Sequence, residues 1–592
     1  MSQVHTGGDI NVLSEKRQCV FASYHRPNRE IDYGRYKYEY DDLVIIKEKF
    51  INQDNQVEKK LKMIENFERP FWVTKKQYRN HKDKKEWESL AKVDTYRSSQ
   101  TNLSLAVQRA LGERNPDPKK QLRIVARSPY VYGLDLSPTY FIKEAYDHRF
   151  KDFTTGYNDV CFLDIETDVL GAEEDKIILI TICMNNEVYT YVIEDFLKKV
   201  TLNYHNEIFE IMDKDLPIIR LNEKDPYRVN IVYCKDEKEV IKKCFEQVHR
   251  WEPDYVTGWN VMEFDQKRIA KRLVVLGEDP ALYFSDPRVP NKYKNYRFKE
   301  GKKFSVSDSG KKTNLRPIQR WHEVIAPASF QWIDAMATYY QLRKHKGMEP
   351  SYKLDAILEK NLKLRKYEIP EAESKRGLNK HVFMQRYYPV HYLVYNIFDV
   401  IGLDLLDKKT KDIRNAFGVL LGASDYRSNQ SNPTKLVDSF HTYLRRHENH
   451  VIGSTSDQMF SELDKLLPPL DNWIVALPTT HLSPDVGMHL IKEAPWLRTN
   501  ISNNNGDFDI TSSYPLGGIL NNISRETTEI EVHRIEGVSM EDRYLFGLNQ
   551  MAGCVNAVSN ARIVFKADDM IKVSDIYDQH QDAFEAYYKT LS

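Results

Sequence analysis

Two acidic side chains, Asp164 and Glu166, stand at alternate positions of the apolar run VCFLDIETDVL (160–170). On a strand, that spacing points both to one face, about 7 Å apart at the Cα atoms. Two carboxylates beside a buried sheet repel each other and lose solvation, so a positive partner is needed, and a divalent metal supplies it. An isolated Asp-x-Glu is more often a solvent-facing acidic pair on an edge strand. Further residues change the balance here. Asp265 closes TGWNVMEFD (257–265), where the rings of Trp259 and Phe264 are suited to stack on nucleobases. Asp399 lies in YNIFDVIGLDLL (395–406), one helical turn after Tyr395 and on the same helix face. Four acids from three separated segments, with a phenol beside the last, suit two-metal hydrolysis of a phosphodiester. One metal would activate the attacking water, the other would stabilise the leaving 3′ oxygen, and the tyrosine would orient the water.

These groups need elements to hold them. The apolar runs 160–170, 176–184 and 188–196 read as an antiparallel meander. A helix is expected over 235–251, with Val240, Ile241, Cys244, Phe245 and Val248 on one face, followed by a strand at 254–260. The order strand, strand, strand, helix, strand is that of a ribonuclease-H-like core within an α/β (α+β) multidomain chain, though many α/β folds share it. Residues 1–150 alternate strand-like pieces such as IDYGRYKYEYDDLVII (31–46) with charged stretches such as RNHKDKKEWESL (79–90), which reads as solvated. No chemistry is visible there, and a scaffold domain is expected. The basic, aromatic-interleaved stretches 291–304 and 309–322 suit either a projecting β-hairpin near nucleic acid or a solvated loop. SDYRSNQSNPTKL (424–436) is polar and turn-rich and is expected to link domains. The resulting division is 1–150, 151–415, a connecting segment 416–500, and a last domain 501–592.

Composition narrows the class. The 592 residues allow roughly three or four domains. Mean hydropathy is -0.60 and no apolar run approaches a bilayer span, so a folded, non-membrane protein is expected. The start MSQVHTGGDINVL lacks the basic-then-apolar pattern of a secretory signal. Cys19, Cys161, Cys183, Cys234, Cys244 and Cys554 are scattered, without a CxxC pair. That usage fits a reducing, cytoplasmic location, the host cytoplasm if the protein is viral, and speaks against zinc or iron–sulfur modules. Lys and Arg total 86 against 86 Asp and Glu. Neutrality removes the simple argument for nucleic-acid binding without opposing it, because phosphate recognition depends on where charge lies.

DIE (164–166), TGWNxxxFD (257–265) and YNxxD (395–399) together resemble the three exonuclease motifs of family B DNA polymerases, particularly the T-even-like phage type. WIDAM (332–336) and PSYKLDAI (350–357) between them are also similar. The resemblance implies a 3′–5′ proofreading exonuclease with Asp164, Glu166, Asp265 and Asp399 as ligands of two Mg²⁺ or Mn²⁺ ions. It casts Tyr395 as the water-positioning group and Trp259, Asn260 and Phe264 as DNA contacts.

A second region, DFDITSSYPLGGILNNISRETT (507–528), is similar to palm motif A, DxxSLYPS. By position Asp509 would ligate the polymerase metals with the Ile510 backbone, while Ile510, Ser513 and Tyr514 would cradle the dNTP, Tyr514 as the steric gate. Ser513 stands where the motif has leucine and Leu516 where it has serine. The family's DTD motif and its fingers motif KxxxNSxYG do not follow between 529 and 592. The expectation is therefore the N-terminal part of a split or truncated polymerase. Its partners would be primer–template DNA, dNTPs and a second chain carrying the fingers, remaining palm and thumb, with a sliding clamp as a further candidate. Two alternatives stand beside it: a self-sufficient exonuclease with a relic palm segment, and a non-catalytic DNA-binding assembly subunit.

Overall fold

The computed structural model describes residues 16–27, 41–80, 87–150, 153–416 and 432–453, with short breaks at 53, 172, 174, 199–200, 221–224, 307–311 and 376. Most of these belong to one compact unit that runs to Ser454. Asp509, Ile510, Ser513 and Tyr514 lie outside the described residues.

Three antiparallel strands come first, β1 (Arg17–His25), β2 (Leu43–Ile51) and β3 (Val57–Glu65), with β2 in the middle. Alternation along β2 sends Val44 and Ile46 to one face, where they meet Ala22 and, from α1 (Pro138–Arg149), Ile142 and Tyr146. Leu43 and Ile45 face the other way, against Val289 and Tyr293. Lys47 and Lys49 continue that second face and are buried. The strands β4 (Arg69–Thr74), β5 (Trp87–Ser89), β6 (Val93–Ser98) and β7 (Val131–Tyr132) follow, with β4 paired between β6 and β7.

The central sheet has six strands in the order β11-β10-β9-β8-β12-β17. Here β8 is Val160–Thr167, β9 Ile177–Met184, β10 Glu187–Ile193, β11 Arg228–Cys234, β12 Tyr255–Gly258 and β17 Gln331–Asp334. The meander β8–β9–β10 is antiparallel as expected, whereas β8, β12 and β17 run parallel to one another. Such central strands are largely apolar, and every residue of β9 is buried. Between β10 and α3 the chain also forms a helix, α2 (Tyr204–Asp215), and the strand β11, beyond the elements expected from the sequence. The helix α3 (Glu237–Trp251) is the expected one. Asp236 caps it by accepting from the Glu239 N–H at 2.8 Å, and its apolar face is buried.

After β12 the chain forms α4 (Asp265–Val275) and then a ribbon of four short strands. β13 (Arg297–Lys299) pairs with β16 (Glu323–Ile325), and β14 (Phe304–Val306) pairs with β15 (Lys312–Asn314). The basic stretches therefore fold as a hairpin rather than as open loops. Beyond β17 come α5 (Ala335–Arg343) and the 22-residue α6 (Pro389–Thr410), largely buried across the sheet.

Two expectations are corrected. The 79–90 segment is not wholly a solvated stretch, because β5 within it pairs with β18 (His450–Ile452). The polar stretch 424–436 is not linker to its end: helix α7 (Asn432–His447) covers its last residues. This helix packs back on α1, where Thr442 meets the Tyr140 hydroxyl at 2.7 Å and Arg445 pairs with Glu144 at 2.9 Å. The turn residues Ser428, Asn429 and Pro433 suggested a break, but α7 is strongly amphipathic and gains tertiary packing that local composition does not report. Among the described residues, no helix is long and apolar enough to cross a membrane.

Candidate active site

Asp164 and Glu166 project from β8 at positions paired with Thr181 and Leu179 of β9. Next to them, β12 approaches β8 so closely that a Cβ on Gly258 would lie 2.3 Å from the Leu163 carbonyl oxygen, so only glycine fits there. The chain then turns through Asn260, whose φ of 64° is left-handed, and enters α4 at Asp265. Asp334, at the end of β17, fixes this turn by accepting from the Met262 N–H at 3.1 Å and the Ala337 N–H at 3.0 Å. Asp265 occupies the first position of its helix, where the positive end of the helix dipole favours an acid, and accepts from the Ile165 N–H at 3.2 Å.

The fourth acid comes from α6. Tyr392, Tyr395, Asn396 and Asp399 fall at i, i+3, i+4 and i+7, one stripe of that helix, and all are buried. Asn396 donates to Asp164 at 2.6 Å, and the Tyr392 hydroxyl donates to Glu166. The rings of Tyr392 and Tyr395 are nearly parallel at 6.1 Å. His381 Nδ1 lies 2.8 Å from the Tyr392 oxygen. With the Tyr392 proton directed at Glu166, that nitrogen is the donor.

The charge balance is lopsided. Burial pushes Asp164 up to about 7, with Asp399 adding to the rise and Lys366 and Asn396 opposing it. Glu166 and Asp265 are pushed well above the ordinary carboxylate range by burial and by Asp164. The answering cation is Lys366, which pairs with Asp399 and donates to the Tyr395 hydroxyl at 3.0 Å. Despite its own burial, Asp399 holds its ammonium above the usual lysine value. Burial and Asp399 push the Tyr395 phenol well above its ordinary value, so it stays protonated.

As the side chains stand, no three Asp, Glu, His or Cys groups among the described residues are gathered closely enough to hold one ion. Lys366 sits among them. The donor set nevertheless fits a hard divalent cation. It offers carboxylate oxygens, it carries more negative charge than Lys366 offsets, and Asp399 Oδ1 is buried without a hydrogen-bond partner.

The expected DNA contacts divide. Phe264 is exposed, with the Arg268 guanidinium 3.2 Å from its ring centroid. Trp259 is engaged within the fold: its indole N–H donates to the Tyr352 carbonyl at 2.9 Å and its ring meets Tyr339 edge-on. Asn260 leaves a buried Oδ1 without a partner.

Lys366, Tyr392, Asn396, His381 and the bracing Asp334 were not assigned site roles from the sequence. The helical stripe that links Tyr395 to Asp399 extends to Tyr392 and Asn396 and would have found them. Lys366 lies in a loop with no local signal.

No curated protein matches the chain. Residues 147–357, which contain β8, β12 and the Asp164, Glu166 and Asp265 positions, match the family model for the exonuclease domain of family B DNA polymerases.

Proposed function

We propose that the protein is a metal-dependent 3′–5′ DNA exonuclease acting at single-stranded 3′ ends. The observation that carries this reading is the approach of Asp164, Glu166, Asp265 and Asp399, from a strand, a helix N-terminus and a second helix, to one buried locus that Lys366 also enters. The family model over 147–357 supports it. Mg²⁺ or Mn²⁺ ions held by the four carboxylates would supply an activated water and stabilise the leaving 3′ oxygen. The chain's own residues prepare for that chemistry. Tyr395 keeps its proton and can donate a hydrogen bond that orients the attacking water. Asn396 and Tyr392 fix the rotamers of Asp164 and Glu166. Phe264 offers an exposed face for a terminal base. The strand order of the central sheet supports the ribonuclease-H-like reading of the domain.

The likeness of 507–528 to palm motif A supports a finer reading, in which this chain is one part of a replicative polymerase. Asp509, Ile510, Ser513 and Tyr514 would then contribute half of a polymerase site, and a second polypeptide would supply the other palm carboxylate and the fingers. Primer extension with dNTPs and Mg²⁺ tests it: the finer reading expects none from this chain alone and synthesis with a candidate partner.

The exonuclease reading is tested with the double substitution Asp164→Ala and Glu166→Ala on a 5′-labelled oligonucleotide. Digestion should fall at least about a thousandfold. Unchanged digestion would remove the assignment.

A further inference from the structure

At the end of the sheet opposite the carboxylates, the first domain reaches under the strands that carry them. The segment Trp251–Asp254 joins the C-terminus of α3 to β12, and Asp254 is fully buried. Its carboxylate accepts from the Asp159 N–H at 2.7 Å, its own N–H donates to the Asp159 carbonyl at 2.7 Å, and its carbonyl accepts from the Gln331 N–H at 3.0 Å. Asp159 immediately precedes β8, Asp254 precedes β12, and Gln331 opens β17. One aspartate therefore ties together the roots of three parallel strands. At their other ends these strands bear Asp164 and Glu166, lead into Asp265, and end on Asp334.

That knot is held from outside the domain. Lys49 reaches Asp254 at 2.5 Å and Asp159 at 2.9 Å, and Lys47 reaches Asp254 at 2.9 Å and the Glu252 carbonyl at 2.7 Å. Lys59, nearer the rim, pairs with Asp159 at 2.9 Å and donates to the Glu252 carbonyl at 3.2 Å. The Lys47 and Lys49 side chains are only 2% and 3% exposed. Burying two lysines is costly, and strand β2 could have joined its neighbour through apolar contacts alone, as it does at Leu43 and Ile45. Paired, hydrogen-bonded charges instead specify one geometry at their contact, whereas apolar surfaces tolerate sliding.

We infer that Lys47 and Lys49 are positioning residues for the exonuclease reaction: from the first domain they lock the relative register of β8, β12 and β17, and so the spacing of the carboxylates at the far ends. The inference rests on the exonuclease reading above. It assigns the first domain a part in the nuclease, where the sequence showed only scaffold.

The full chain is tested as Lys47→Met, Lys49→Met and Asp159→Asn. Two measurements are made: digestion of a single-stranded oligonucleotide at saturating Mn²⁺, and deuterium uptake of the metal-free protein. For the lysine variants, kcat should fall about tenfold with KM for the oligonucleotide unchanged, as displacement of reacting groups predicts. Deuterium uptake should rise in peptides covering 160–167 and 255–265 while that of 187–193, at the far side of the sheet, stays put. Asp159→Asn, which keeps the backbone bond and removes one partly exposed charge, should show the same pattern at about threefold in kcat. It also decides the matter if the lysine variants do not fold. Folded variants with unchanged kcat and unchanged local exchange would overturn the inference, as would exchange that rises evenly over the whole sheet. If the wild-type chain fails to digest DNA, the exonuclease reading falls by itself, and the exchange pattern still decides the register lock.

Discussion

The two ends of the parallel strands use the same kinds of side chain to opposite ends. At the roots, Asp159 and Asp254 meet Lys47, Lys49 and Lys59, and the spare positive charge faces the carbonyls that close α3. At the tips, Lys366 pairs with Asp399, and among the described residues no other lysine or arginine is paired with Asp164, Glu166, Asp265 or Asp399. Both clusters are largely buried, each with a partly exposed member, so burial does not separate a structural knot from the candidate site. Charge balance does. The rooted acid Asp159 is held low, at about 2, because Lys49 and Lys59 outweigh the burial that would raise it. The tip acid Asp164 is pushed up to about 7. A set of carboxylates kept short of positive charge is what the proposed metal-dependent chemistry needs.

The comparison breaks most visibly at Asp254. Asp254→Asn keeps the shape and the backbone contacts but strips Lys47 of its counter-charge and leaves Lys49 with Asp159. Burial already lowers the Lys47 ammonium to about 8, so that group can shed its proton and soften the loss. The expected cost is therefore at the low end for a broken buried pair, about 3 kcal/mol in chemical unfolding. If Asp254→Asn is as stable as the wild type, the roots are not the structural cluster described. A smaller effect should appear on acidification. Asp159 has a folded pKa below its unfolded value near 3.8, so its contribution is fully present above that value and is lost as the pH falls through about 2. It amounts to about 2 kcal/mol. The stability difference between the wild type and Asp159→Asn should thus be seen at pH 5 and vanish near pH 2.

How much of this could be read in the chain depends on the range of the interactions. Asp164, Glu166, Tyr395 and Asp399 were legible because strand and helix periodicities are local, and i, i+2 or i, i+4 spacing already says which side chains share a face. Their convergence with Asp265 followed from motif likeness. Lys366 was not legible: it sits in a loop 33 residues from the Asp399 it pairs with. Nor was the burial of Lys47 and Lys49. LVIIKEKFI (43–51) looks like a strand whose charged end is solvated, and only the arrival of a segment 205 residues later makes those lysines internal. The strand β11 was missed for a related reason. It is an edge strand whose parallel pairing with β10 depends on a crossover that no local pattern encodes.

The smallest effect concerns what the tips do with DNA, and it separates two aromatic residues of one motif. Trp259 has its indole N–H committed to Tyr352 and its ring against Tyr339, while Phe264 stands exposed, five residues on. Stacking of a terminal base on Phe264 should contribute about 1 kcal/mol, the low end for base–aromatic contacts, because the Arg268 guanidinium already covers one face of the ring. Phe264→Ala should therefore weaken binding of a single-stranded 3′ end, measured in Ca²⁺ to suppress cleavage, roughly fivefold. The melting temperature should be nearly unchanged, since little buried area is lost. Trp259→Ala should do the reverse, lowering stability through lost packing. If Trp259→Ala weakens DNA binding without loss of stability and Phe264→Ala leaves binding intact, the base-contacting role belongs to the tryptophan, and the exposed phenylalanine serves only to seat Arg268.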